Sequence, residues 1–176
     1  MDPQTHIGPI TTEPQFRKIL EYIEIAKAEG AICVLGGGPY AEEGAKGGRF
    51  VQPTIFTNVS NTMRIAQEEV FGPILAVIPF EDEEEAIRIA NDVPFGLAAG
   101  IWTENMGRAI RMSEQLRVGT VWVNTYRAVS FTSPFGGYKR SGIGRESGLA
   151  AVQEFLQVKS VWIATEKSTR NPFVIG

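Results

Sequence analysis

Six consecutive residues, Glu68-Glu69-Val70-Phe71-Gly72-Pro73, place two carboxylates and an aromatic ring directly before an apolar run at 74–78. The run reads as a buried strand, so the acids lie on a loop that enters a rigid sheet. A loop held in that way can aim one carboxylate and one aromatic face at a ligand. The same residues also fit a solvated acid beside a capping aromatic. A second segment, Ser133-Pro134-Phe135-Gly136-Gly137-Tyr138-Lys139-Arg140-Ser141-Gly142, lies downstream and is followed by Gly144-Arg145-Glu146. Other chemistry is thinly supplied. Cys33 is the only cysteine and His6 the only histidine, too few for a metal site or a serine–histidine–acid set. Cys33 sits within the apolar run 31–35 and reads as a structural residue of a buried strand. Gly36-Gly37-Gly38 lacks the spacing and the following helix of a phosphate-binding fingerprint, so it reads as a turn. The run from Gly142 to Ser147 is one residue short of the dinucleotide fingerprint and lies at no strand-to-helix junction.

Together and in this order, the two segments closely resemble the C-terminal part of the aldehyde dehydrogenase superfamily. That family oxidises aldehydes to carboxylic acids with NAD or NADP. The resemblance runs from about Asp2 to about Thr165. It implies a partial catalytic domain over 1–154, an oligomerisation strand over 155–166 and a frayed tail over 167–176. It also implies that Glu69 accepts hydrogen bonds from the hydroxyls of the nicotinamide ribose. Two vicinal hydroxyls suit the bidentate acceptor that an ionised carboxylate provides. Phe71 would contact the nicotinamide end and limit its travel, with Gly72-Pro73 fixing the loop. The stretch 124–135 would line the aldehyde tunnel and place Val129, Phe131 and Phe135 against substrate; ordinary core packing is the alternative. Glu146 matches an acid that in several members joins a proton relay. It equally fits a helix-start acid stabilised by the dipole.

The family reaction needs a thiolate that attacks the carbonyl and forms a thiohemiacetal. Cys33 lacks the flanks of that nucleophile. The general-base glutamate, the glycine-rich cofactor turn and the cofactor-binding lysine belong to family sequence upstream. The chain is therefore expected to be a C-terminal portion of an NAD(P)-dependent aldehyde dehydrogenase, inactive alone and oligomeric through its C-terminal strand. The rival expectation is a non-catalytic association module. The missing nucleophile and the apolar edge at 158–163 favour it.

The elements that must position these groups follow from pattern. Thr12-Glu13-Pro14-Gln15 has the spacing of a capping box with proline in the first turn. Phe16, Ile19, Leu20 and Ile23 recur at helical spacing, and Gly30 supplies a stop. Strands are expected over 31–35 and 50–56, as a hairpin, and over 73–80. The last is unbroken in apolar character, which suits a parallel strand covered on both faces. Asp82 caps a helix to about Asp92, and Thr103 caps another that aligns Met106, Ala109, Ile110 and Ser113. Strands are expected at 98–102 and 119–123. This alternation predicts an α/β fold, a parallel sheet flanked by helices. A short helix over 147–155 and a last strand over 158–164 follow.

A chain of 176 residues supports one domain with a real core. The net charge of −3 offers no basic field for nucleic acid. No apolar stretch approaches the roughly 18 residues that span a bilayer. One cysteine and the lack of a signal-peptide pattern read as cytoplasmic.

Overall fold

The computed structural model describes residues 6–40, 47–165 and Phe173. Helix α1 (Glu13–Ala28) starts where expected. The Thr12 hydroxyl accepts from the Gln15 N–H at 3.4 Å, and Pro14 occupies the first turn. The helix ends just before Gly30, whose φ of 99° turns the chain so that the Ala31 N–H reaches the Ala26 carbonyl at 2.9 Å. The buried face of α1 carries Ile19, Tyr22, Ile23 and Ala26.

That face packs against a three-stranded sheet ordered β1 (Ile32–Leu35), β2 (Thr54–Thr57), β3 (Ile74–Ala76). β1 and β2 run antiparallel with Cys33 opposite Phe56; β2 and β3 run parallel with Ile55 opposite Leu75. Phe56 and Ile19 are fully buried and centre a core with Tyr22, Ile23, Val59, Ile65 and Val70. Two expectations are corrected here. β1 is not a buried strand: Ile32, Val34 and Leu35 are exposed and Cys33 is half-buried. β3 spans only three residues, with Leu75, Val77 and Phe80 exposed, and is not covered on both faces. One layer, α1, packs on the sheet, and its buried partners occupy one side of β2, as the alternation of Thr54 and Phe56 with Ile55 and Thr57 shows.

Past β3 the strand–helix alternation holds. Asp82 caps α3 (Glu83–Asn91) by accepting from the Glu85 N–H at 2.8 Å. β4 (Phe95–Gly96), β5 (Ala98–Ile101), α4 (Met106–Gln115) and β6 (Thr120–Val123) follow, then β7 (Tyr138–Lys139) and α5 (Gly148–Gln153). β5 and β6 are parallel with Ala99 opposite Val121, while β4 and β7 form a short antiparallel ladder. The α/β class is as the pattern predicts, but the single sheet is not. β3 and β5 belong to separate sheets, because no described strand bonds to both. The cap of α4 is Asn105, which accepts from the Arg108 N–H at 3.0 Å, while Thr103 accepts from Asn105. Side chains join the two halves: α2 (Arg64–Gln67) ends in Gln67, whose amide donates to the Asp92 carbonyl at 2.7 Å.

Residues 156–165 form no strand. A strand is defined by its ladder, and no described strand runs beside this segment. The expected tail 167–176 lies, apart from Phe173, outside the described residues, as do the first five residues and 41–46.

Candidate functional site

The acid pair divides its labour. Glu68 closes α2 in an extended conformation, with φ −115° and ψ 141°. Successive side chains on extended backbone point to opposite sides. Accordingly Glu68 turns toward α1, Glu69 turns out, Val70 returns to the core at 8% exposure, and Phe71 emerges at 68%. Residues 68 and 70 anchor; residues 69 and 71 are presented.

The Glu68 carboxylate is fully engaged. Arg64 donates to its two oxygens at 2.7 and 3.0 Å, and the Tyr22 hydroxyl donates to Oε2. Arg64 foremost, and then Tyr22, hold the Glu68 carboxyl down to about 2. The same contact with Glu68 raises the Tyr22 phenol above its ordinary value. Glu69, by contrast, makes no side-chain hydrogen bond or ion pair among the described residues; only its carbonyl is used, accepting from Lys18 Nζ at 2.9 Å. Gln15 Nε2 donates to the next two carbonyls, of Val70 at 2.7 Å and Phe71 at 3.1 Å. Three consecutive carbonyls are thus strapped to the first turns of α1. Gln15 does not close the capping box, because its side chain is committed to this loop. Phe71 sits at φ 55°, a left-handed conformation costly for an aromatic residue. Gly72 follows because a Cβ there would lie 2.7 Å from the buried Ile19 side chain.

Glu69 and Phe71, with Glu68 beside them, line a cleft of about 640 Å³ together with Val93, Phe95, Leu97, Ala99, Leu116 and Val118. The lining is mostly apolar and also includes Arg140 and Ser141. Such a lining, with the Glu69 carboxylate unengaged among the described residues, suits a ligand with an apolar ring and a hydroxyl pair.

A second cleft, of about 660 Å³, gathers Val129, Phe131, Phe135 and Glu146 with Val121 and Trp122. Glu146 reaches it through a backbone bridge to Phe135, with N–H···O distances of 2.7 and 2.8 Å. It is not a first-turn acid of α5, which starts at Gly148 after Ser147. The approach to this cleft is fixed by Asn124, at φ 52°, whose amide donates to and accepts from the Thr103 backbone at 2.8 and 2.9 Å. Trp122 donates to the Ala128 carbonyl at 2.8 Å and stacks edge-on with Tyr126. Gly136 is packed so closely on Gly119 that a Cβ on the latter would fall 1.6 Å from the Gly136 carbonyl oxygen. A smaller cleft shares Leu97 and Ser141 with the first site and Phe135 and Glu146 with the second, so the two adjoin. Cys33 lines neither; its thiol donates to the Leu35 carbonyl at 3.3 Å.

Sequence reasoning missed Lys18, Tyr22 and Arg64, and read Gln15 only as the end of a capping box. Arg64 was open to detection, four residues before Glu68 at ion-pair spacing. The α1 residues gave no signal beyond helical periodicity. No group of acids, His and Cys suited to a metal exists among the described residues, and no described helix is long and apolar enough to cross a membrane.

Comparison with known proteins bears on this geometry. The profile of the aldehyde dehydrogenase family matches residues 1–161. A betaine aldehyde dehydrogenase of Mesorhizobium japonicum is 47% identical over 165 residues, 94% of this chain and 34% of that protein. One from Cereibacter sphaeroides is 50% identical over 163 residues, 93% of this chain and 33% of that protein. A structure of betaine aldehyde dehydrogenase from Staphylococcus aureus in complex with NAD+ superposes with a TM-score of 0.93 at 41% identity, over 99% of this chain and 35% of that one. An indole-3-acetaldehyde dehydrogenase of P. syringae, in complex with NAD+ and IAA, gives 0.86 at 47% identity, over 92% and 32%. The chain spans about a third of the length of the curated relatives it matches. With both segments of the resemblance now lining adjoining clefts, and with matches covering nearly all of its residues, the chain belongs to the aldehyde dehydrogenase family.

Proposed function

We propose that this chain is the C-terminal part of an NAD(P)-dependent aldehyde dehydrogenase and supplies its cofactor clamp and one wall of its aldehyde site. One observation carries the reading: among the described residues Glu69 is an unengaged carboxylate on a loop whose Glu68 carboxylate and three following carbonyls are tied down. The residues fit a nicotinamide riboside. Glu69 would accept from the two ribose hydroxyls, Phe71 would bound the nicotinamide end, and the apolar lining would exclude water. NAD or NADP, when bound, supplies the hydride acceptor. NAD is supported by the NAD+ complexes of two similar structures.

Val129, Phe131 and Phe135 would form an apolar wall for the aldehyde, which favours an apolar or aromatic substrate. Glu146 would take up a proton at its carboxylate as water releases the acid product. The thiolate nucleophile would lie in the remainder of the catalytic unit, because Cys33 stands on an outer strand away from both clefts. The apolar segment at 155–166 would pair with a second copy, giving a homo-oligomer. A single unpaired cysteine supports a cytoplasmic setting.

The test is Glu69→Gln in the complete enzyme. Replacing a charged acceptor costs on the order of 1.5–3 kcal/mol, which is about ten- to a hundredfold in rate if it falls on the chemical step. Single-turnover hydride transfer should slow by that factor while NAD+ affinity changes less, since placement of the ring matters more than one contact. Unchanged single-turnover rates would remove Glu69 from the site.

A further inference from the structure

We propose that Tyr22, Glu68 and Arg64 form a positioning device that fixes the direction in which Glu69 points. The inference rests on the reading of Glu69 as the ribose acceptor and adds residues that touch no part of the ligand.

Glu69 itself has no side-chain partner among the described residues, so nothing holds its carboxylate directly. Its direction is set by its two neighbours. On one side Val70 is buried against α1. On the other, Glu68 is gripped by three donors, two from Arg64 and one from Tyr22. Arg64 presents both nitrogens as a fork, which fixes the plane of the carboxylate as well as its position. Arg64 also donates to the Tyr22 hydroxyl at 3.1 Å, and its guanidinium lies 5.1 Å from the Tyr22 ring centroid. Tyr22 is buried at 7% exposure, in the middle of α1, so the cluster is referenced to the rigid core. With Glu68, part-exposed at the margin of the cleft, held toward Tyr22 on extended backbone, Glu69 is turned the other way along the same cleft. Release of Glu68 would let the peptide between the two acids rotate and carry the free carboxylate off its target. Lys18 and Gln15 brace the carbonyls from the same helix but hold no side chain of the pair.

The experiment is a mutant cycle in the complete enzyme with NAD+ and a saturating aldehyde. Tyr22→Phe keeps the ring in the core and deletes one donor; Glu68→Gln weakens all three contacts. Each should slow single-turnover hydride transfer about tenfold to a hundredfold, as misplacement of a reacting group does. The NAD+ dissociation constant should stay within about threefold, because no ligand contact is removed. Each should add little when combined with Glu69→Gln, since residues acting through one another are not additive. Amide hydrogen exchange over residues 69–72 should quicken in Tyr22→Phe. Multiplicative rate losses in the double variants would overturn the proposal, because an independent structural role gives that result. So would wild-type rates in Tyr22→Phe alongside a slow Glu69→Gln. A silent Glu69→Gln would remove the ribose reading and this inference together. If Glu68→Gln fails to fold, Tyr22→Phe alone decides, by rate and by exchange.

Discussion

Adjacent carboxylates at 68 and 69 occupy opposite electrostatic circumstances. Glu68 is held ionised by Arg64 and Tyr22, down to about 2, against an ordinary glutamate near 4.3 in the unfolded chain. A folded-state value below the unfolded one stabilises the fold above the unfolded value and loses that contribution as pH falls toward the folded one. Stability should therefore decline between about pH 5 and pH 2, and the decline should be shallower in Glu68→Gln. Urea midpoints measured across that interval check this; identical slopes would show that the contact is worth nothing in solution. Both carboxylates were legible as a candidate pair from sequence, together with Phe71. Which of the two is anchored was half legible: Arg64 stands at ion-pair spacing from Glu68 and not from Glu69, whereas Tyr22 lies 46 positions away and gave no local signal. The resemblance, not spacing, singled out Glu69.

Elements carry the site by close approach. Helix α1 meets the loop so tightly at Gly72 that a methyl group there would fall 2.7 Å from Ile19, which is fully buried and cannot yield. Gly72→Ala should cost about 1–3 kcal/mol in unfolding free energy, as overpacking does, and, if the proposed clamp holds, should slow hydride transfer in the complete enzyme by displacing Phe71. Wild-type stability with wild-type rate would contradict this packing. Phe56 is the largest fully buried side chain among the described residues, and Phe56→Ala should cost about 3–5 kcal/mol by urea titration. Helix caps at Thr12 and Asp82 were readable because capping is a local interaction. The burial of β1 and β3 was not readable. An apolar run states that a strand is to be covered, not by what, and α1 covers one face only. The cap of α4 shifted from Thr103 to Asn105 because the Thr103 hydroxyl already accepts from the Asn105 N–H, while the Thr103 backbone is paired with the Asn124 amide.

At the scale of the molecule, apolar surface is left open. Val158 is 97% and Trp162 94% exposed, with Val161 and Ile163 beside them. Exposed apolar segments and open sheet edges recruit a partner chain. Light scattering across a dilution series should show self-association, reduced by Val161→Lys and by Trp162→Lys. A chain that stays monomeric at high concentration contradicts edge pairing, and variants as associated as wild type place the interface elsewhere. The chain assayed alone with NAD, NADP and a panel of aldehydes should produce no reduced cofactor. Turnover abolished by Cys33→Ser would contradict the structural role given to that thiol. The most direct measurement of the central claim is a crystal structure of the complete enzyme with NAD+ bound. The Glu69 oxygens should lie about 2.5–2.7 Å from the two hydroxyls of the nicotinamide ribose, as charge-assisted O–H···O bonds do. A fully ordered nicotinamide ribose with Glu69 turned to solvent would contradict it.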